Sequence, residues 1–451
     1  MKQIHLLASL LGLCLAAPAW AGNCRYDIRP EDPAAAKVEV TVRCSDPSLQ
    51  ERLAFTYQPA ERFVTRRPDT PFRYEFALAE FARSESDYDS ALLRGRSVMV
   101  SPDSFLPFAK GAEEALLFID TDGGAMQAAP YERGTDGGYR IRANVWHASG
   151  AMVLGQFQLG DVPGVGHMRA ALLDEEVAPR FDQLLAWLSD TGKNNIRFWH
   201  APPIDAPLVI LVPKGTGDGL EFGRVNAGSG TDILLVIGSR TTPANLYDQW
   251  IAVHEFLHQG TPYVRDSGAW LNEGIATYFE PLLRYRAHWK SEDDVWQEWI
   301  QHMPTGMRAF EQIGLRQAAR GGVYWGGALF MLLADIGLRE ASHGRIGMED
   351  CLVEVLHRLG NAEADGRTAD IIATCDRMSG THVVSDLALH HLEHGEPFDL
   401  DAIWARLGVK LGPNDKVTYD EHAPLAWLRH NLLEGNRRYF AEGIAKTMSI
   451  N

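Results

Sequence analysis

The stretch Trp250–Phe279, WIAVHEFLHQGTPYVRDSGAWLNEGIATYF, decides how the rest of the chain is read. His254 and His258 stand four apart with Glu255 between them, about one turn of an α-helix, so both imidazoles leave the same face. Thr242 before Pro243 predicts a helix start, and Gly260 with Pro262 predicts its stop. Leu246, Trp250, Val253 and Leu257 recur at helical spacing between them, which predicts a mostly buried helix with the histidine pair near its end. Fourteen residues separate His258 from Glu273, which lies in a second predicted helix, WLNEGIATY, able to present a carboxylate to the same point. Two neutral imidazoles and one carboxylate leave a fourth coordination position to water, the arrangement of a catalytic rather than a structural zinc site. Glu255, turned by about 100° from its neighbour, falls outside the ligand set and is placed for general acid–base work. Without the second segment, HEFLH would read as two ordinary helix histidines beside a surface glutamate.

HEFLH followed by WLNEGIATY resembles the gluzincin metallopeptidases, meaning the aminopeptidase N family and, more closely, the glycyl aminopeptidase family. Tyr324-Trp325-Gly326-Gly327-Ala328-Leu329-Phe330, running on to Asp335 and Arg339, is similar to the tyrosine-bearing helix of those families. Gly219-Leu220-Glu221 is similar to their substrate-edge strand, so the resemblance covers about residues 200 to 345. It implies one zinc ion per chain held by His254, His258 and Glu273, with Glu255 carrying the proton. It also implies Tyr324 as a phenol donor to the oxygen that turns negative when a peptide carbonyl is attacked. Glu221 becomes the carboxylate that holds a substrate's free ammonium. Thr277, one helical turn after Glu273, is placed to orient that ligand. The chain departs from those families in a shorter connection between the second histidine and the glutamate. It also has Gly260 where a tryptophan usually follows and Gly326 where a lysine usually follows the tyrosine; these positions bear on substrate preference rather than on metal binding.

Upstream, Lys2, the apolar run Leu6–Ala17 and Ala19-Trp20-Ala21 predict a cleavable secretory signal over residues 1–21, too short for a permanent membrane anchor. Its loss removes Cys14 and one positive charge, so the formal net charge of −16 becomes −17. Cys24, Cys44, Cys351 and Cys375 remain, an even number in an exported chain, which predicts two disulfides with three possible connectivities. The nearest pairing would join Cys24 to Cys44 and Cys351 to Cys375. The acidic balance argues against nucleic acid as partner, and no later apolar run is long enough to be a stable membrane span.

Between residues 22 and 165 the pattern is strand-like. Val38, Val40 and Val42 alternate with polar residues, and short runs follow at Leu53–Tyr57, Val98–Val100, Leu116–Ile119, Tyr139–Val145 and Val153–Leu159, which predicts a β-sandwich domain. A helix is expected from about His167 to Ser189, then buried strands at Leu208–Val212 and Ile233–Ile237. The Gly-rich turn Gly215–Glu221 lacks the Gly-Lys-Ser/Thr of a phosphate loop and reads better as the approach to an edge strand that pairs with an extended peptide. Residues 166–285 thus form a catalytic α/β lobe. Pro281 is expected to break the second helix, and residues 286–451 form a mostly helical lobe. Gly124-Ala125-Met126-Gln127 lacks the glutamate of the segment it superficially matches, and His390-His391-Leu392-Glu393-His394, an inverted zinc pattern, lacks a supporting second segment; both are set aside. The sequence therefore predicts an α+β multidomain protein, an N-terminal β-sandwich followed by a thermolysin-like catalytic domain. The expected activity is that of a secreted or periplasmic zinc peptidase acting on peptides or proteins, an aminopeptidase in preference to an endopeptidase. A catalytically silent peptide-binding protein that keeps the zinc site is the remaining alternative.

Overall fold

The computed structural model describes residues 23–66, 72–264 and 269–435; the predicted signal segment and Cys14 lie outside them. Three sheets are stacked in the N-terminal half. The first has seven strands and is built on Cys24–Pro30, which pairs antiparallel with Val38–Cys44 and parallel with Glu114–Ile119. Val38, Val40 and Val42 all point into its core, as the alternation predicts. The second sheet has four strands, ordered Met126–Ala128, Met152–Gly155, Ser97–Val100 and Ala91–Arg94. Its two faces are both covered: Val98, Val100, Met152 and Leu154 pack toward the first sheet, while Leu92, Met99 and Val153 pack toward the third.

That third sheet has five strands, ordered Phe157–Asp161, Arg169–Leu173, Leu208–Pro213, Gly230–Ile237 and Leu220–Gly228, with the last at an edge. Leu208, Ile210, Val212, Leu234 and Val236 face the four-stranded sheet. Val209, Leu211, Ile233, Leu235 and Ile237 face helices on the other side. Strands buried on both faces read as continuous apolar runs, which is why these two were legible. The remainder is helical around a core that includes Trp270, Trp296, Trp299 and Phe330.

Several local expectations are corrected. Residues 169–173 form a strand rather than the start of a helix; the helix begins after Pro179, at Phe181, and runs to Trp199. The Arg180 amide is held by the Gln183 side chain at 2.9 Å, so the true start has a side-chain cap that the apolar spacing conceals. The run predicted at Val153–Leu159 is divided at Gln156 between the second and third sheets. At Leu53–Tyr57 only Leu53–Ala54 is strand. Pro281 does not end its helix, which continues from Trp270 to Arg286. Phe279, Leu282 and Leu283 are buried around the proline, and that packing outweighs the lost backbone bond.

Both disulfides take the nearest pairing, Cys24 with Cys44 across two paired strands and Cys351 with Cys375 between the helices Met348–Leu359 and Thr368–Ser379. Among the described residues no helix is long and apolar enough to cross a membrane.

The helical core is pinned by a buried carboxylate. Asp335 accepts from the Tyr278 hydroxyl at 2.8 Å, from Arg339 Nε at 2.9 Å and from the Met348 amide at 2.7 Å. Both Asp335 and Arg339 are essentially inaccessible. Asp335→Ala therefore leaves a buried guanidinium without its counter-charge and is expected to cost about 3–5 kcal/mol. Tyr278→Phe, which removes one bond to the carboxylate, should cost about 1.5–3 kcal/mol. Denaturant unfolding of the two variants checks the order, and equal losses would show that the ion pair carries no special weight.

Candidate active site

The histidine pair is carried by Ile251–His258, a helix shorter than predicted. Thr242 caps a separate short helix, Pro243–Tyr247, by accepting from the Asn245 amide, and Asp248–Trp250 interrupts the two. Leu246, Val253 and Leu257 are buried as expected, whereas Trp250 is 48% exposed. His254 and Glu255 are buried. The two imidazole rings lie 4.9 Å apart on one face, as the four-residue spacing requires.

Glu273 arrives from the helix Trp270–Arg286. Its Oε2 lies 3.0 Å from His254 Nε2 and 3.6 Å from His258 Nε2. Among the described residues this trio is the one group of three or more potential ligands, with donor atoms all within 4.8 Å of one another. For ligand bonds of about 2.1 Å, a tetrahedral ion needs its donors about 3.4 Å apart, so the observed separations suit a single zinc-sized cation. The inverted pattern makes no such group: His390 pairs with Glu396, and His391 Nδ1 lies 2.9 Å from the Phe310 carbonyl.

The titrating groups respond to one another. Burial raises the Glu273 carboxyl, but the hydrogen bonds and charges of both imidazoles outweigh it and hold the group well below the usual range. Burial lowers His254. Burial also acts to lower His258, yet the hydrogen bond to Glu273 leaves it raised. Glu255 is pushed up to about 7, chiefly by burial. A divalent cation at the trio would draw that carboxyl down again.

Glu255 lies under the edge strand Leu220–Gly228. A Cβ at Gly223 would fall 2.6 Å from Glu255 Cγ and 2.5 Å from Ile251, so glycine there lets the histidine helix approach the strand. Glu221 is exposed two residues upstream, about 7 Å along the strand. It sits at a register shift between Leu220 and Phe222, the unpaired residue of a bulge. Tyr324 occupies the π-helical turn Gly322–Gly326 that leads into the helix Gly327–Ser342. Its ring lies 6.3 Å from that of His254, and it is 40% exposed. Thr277 is buried one turn after Glu273, and its hydroxyl has no hydrogen-bond partner among the described residues. The structure thus gathers His254, His258, Glu273, Glu255 and Tyr324, and sets Glu221 nearby on the strand.

Two positioning features were not anticipated. The first is a backbone contact: a Cβ at Gly274 would fall 2.5 Å from Gly327, and one at Gly327 would fall 2.2 Å from the Trp270 carbonyl. Glycines next to Glu273 and three residues after Tyr324 therefore let their two helices touch. The second is a grip on the segment after the histidines. The Gln259 carbonyl accepts from the Ala362 amide at 3.1 Å, and the Tyr263 amide donates to Ala364 at 2.9 Å. Gly260 has the Trp199 indole against it, 2.1 Å from where a Cβ would stand. An indole from another helix fills the space.

No family model matches the sequence, and no curated protein matches it. Solved structures do. The fold is a β-rich N-terminal part followed by a largely helical part, with the His254, His258 and Glu273 trio carried on two helices of the latter. More particularly, the chain has the fold of an aminopeptidase N family protein from Idiomarina loihiensis, with a TM-score of 0.61 at 14% identity over 89% of this chain and 82% of that one. An M1 zinc metallopeptidase mutant from Deinococcus radiodurans bound to a Tyr-Ser-Ala substrate has a TM-score of 0.49 at 13% identity over 83% and 94% of the two chains.

Gly274→Ala should destabilise the protein by about 1–3 kcal/mol through the clash with Gly327. Gly321→Ala, where the nearest atom is Thr305 Oγ1 at 3.6 Å, should be tolerated. Thermal unfolding of both variants tests this; tolerance at Gly274 would mean that the two helices separate freely.

Proposed function

We propose that this chain is an exported zinc-dependent peptidase of the aminopeptidase N type, acting as an aminopeptidase. The observation that carries the reading is the single oxygen of Glu273 placed 3.0 Å and 3.6 Å from two imidazole nitrogens on a different helix. His254, His258 and Glu273 would hold the ion. Zinc bound by such a set lowers the pKa of a coordinated water toward neutrality and polarises the scissile carbonyl.

The chain's own residues account for the rest. Glu255, buried and outside the ligand set, takes a proton from the attacking water and returns it to the nitrogen that leaves when the C–N bond breaks. The Tyr324 hydroxyl donates to the carbonyl oxygen as it gains negative charge, a contact worth more in the transition state than in the substrate. The Thr277 hydroxyl, one turn after Glu273 on the same helix, is placed to orient that carboxylate. The edge strand offers unpaired backbone to an extended peptide, and Glu221 meets the free ammonium at its end. Two disulfides support an oxidising compartment, and a net charge of −16 disfavours nucleic acid.

Metal analysis of the purified protein should give about one zinc per chain, and Glu273→Ala should lose most of it. Retention of zinc by that variant would mean another third ligand. Glu255→Gln should keep metal and fold while turnover of aminoacyl aryl amides falls by about 10²–10⁴-fold; a function that survives the change belongs to a binding protein. N-acetylation of a peptide substrate should abolish cleavage, and efficient cleavage of blocked peptides would favour an endopeptidase.

A further inference from the structure

We propose that Trp250 is the wall of a side-chain subsite, so that the chain selects substrates with a large apolar or aromatic residue beside the scissile bond. The inference rests on the peptidase reading and names its substrate class. Its starting point is the failure of periodicity at one position. Leu246, Val253 and Leu257, which share the helical spacing with Trp250, are at most 3% exposed, whereas Trp250 itself is 48% exposed. Trp250 is the N-cap of the histidine helix, and its carbonyl accepts from the His254 amide at 3.1 Å, which sets it one turn before that ligand candidate.

The indole does not face solvent at random. It meets the His254 ring edge to face, with centroids 5.3 Å apart at 86°, and Tyr324 lies on the same imidazole. Among the described residues six large apolar side chains are exposed, and two of them, Trp250 and Tyr324, lie beside this one histidine. An apolar aromatic surface concentrated beside polar groups is the composition of a ligand site.

The edge strand and the start of the histidine helix meet on either side of Trp250. A Cβ at Gly219 would fall 2.9 Å from the Gln249 side chain, and one at Gly223 would fall 2.5 Å from Ile251. Trp250 lies in the chain between the two residues that meet the strand, while the Glu221 side chain lies against the Gly215–Gly217 turn. In the proposed subsite, the first side chain of a peptide held close to His254 meets the indole.

The test compares L-phenylalanyl with glycyl p-nitroanilide, and phenylalanine hydroxamate with glycine hydroxamate, on the full-length zinc-loaded protein. Wild type should favour the phenyl member of each pair about tenfold or more. Trp250→Ala should erase that ratio, Trp250→Phe should keep part of it, and Trp427→Ala, which removes an equally exposed tryptophan elsewhere, should leave it intact. An unchanged ratio in Trp250→Ala, or a wild type that prefers glycine, overturns the proposal. Hydrolysis of neither amide would count against the peptidase reading, while hydroxamate affinities measured by calorimetry would still decide the role of Trp250.

Discussion

Two helices meet here with no side chain between them, and the geometry of the site depends on that contact. Gly274 and Gly327 bring backbone against backbone, which sets Glu273 and Tyr324 at a separation that bulkier residues would increase by ångströms. Packed interiors cannot absorb such a change cheaply. The same helix pair is fastened a turn further on, where Tyr278 donates to Asp335 and Asp335 holds Arg339. A carboxylate directed at two imidazoles from another helix has to be held to within fractions of an ångström, and this double fastening holds it there.

The N-terminal sheets contribute more than bulk. Because the four-stranded sheet is covered on both faces, it fixes the orientation of the five-stranded sheet and thereby of its edge strand. The Tyr88 ring, from the N-terminal part, stacks on Phe222 with centroids 5.2 Å apart, and Asp89 pairs with Arg224. The opposite face of that strand receives Glu255 at Gly223. One strand therefore carries the β-rich part on one side and the proposed proton carrier on the other, with its outer edge left for a peptide.

The trio was legible because its determinants are local: a four-residue spacing fixes the two imidazoles whatever the tertiary context, and the second segment carries its own helical pattern. The buried strands at Leu208–Pro213 and Gly230–Ile237 were legible for the same reason. The misreadings share a cause as well. The spacing Met168, Leu172, Leu173, Val177 fits a helix and a strand-plus-loop equally, and only pairing with neighbouring strands decides. Trp250 kept the helical period but not the helix, and Pro281 stays in a helix because its surroundings are buried. The glycine contact had no signature in the sequence, since close approach between helices concerns residues more than 50 positions apart. Nor could the sequence indicate that Trp199 would lie against Gly260.

The most direct test of the central claim is an anomalous difference map collected at the zinc absorption edge from crystals of the native protein. One strong peak per chain is expected within about 2.0–2.2 Å of a nitrogen of His254, a nitrogen of His258 and an oxygen of Glu273. A peak coordinated by other residues, or Glu273 turned out of reach of both imidazoles, would contradict it.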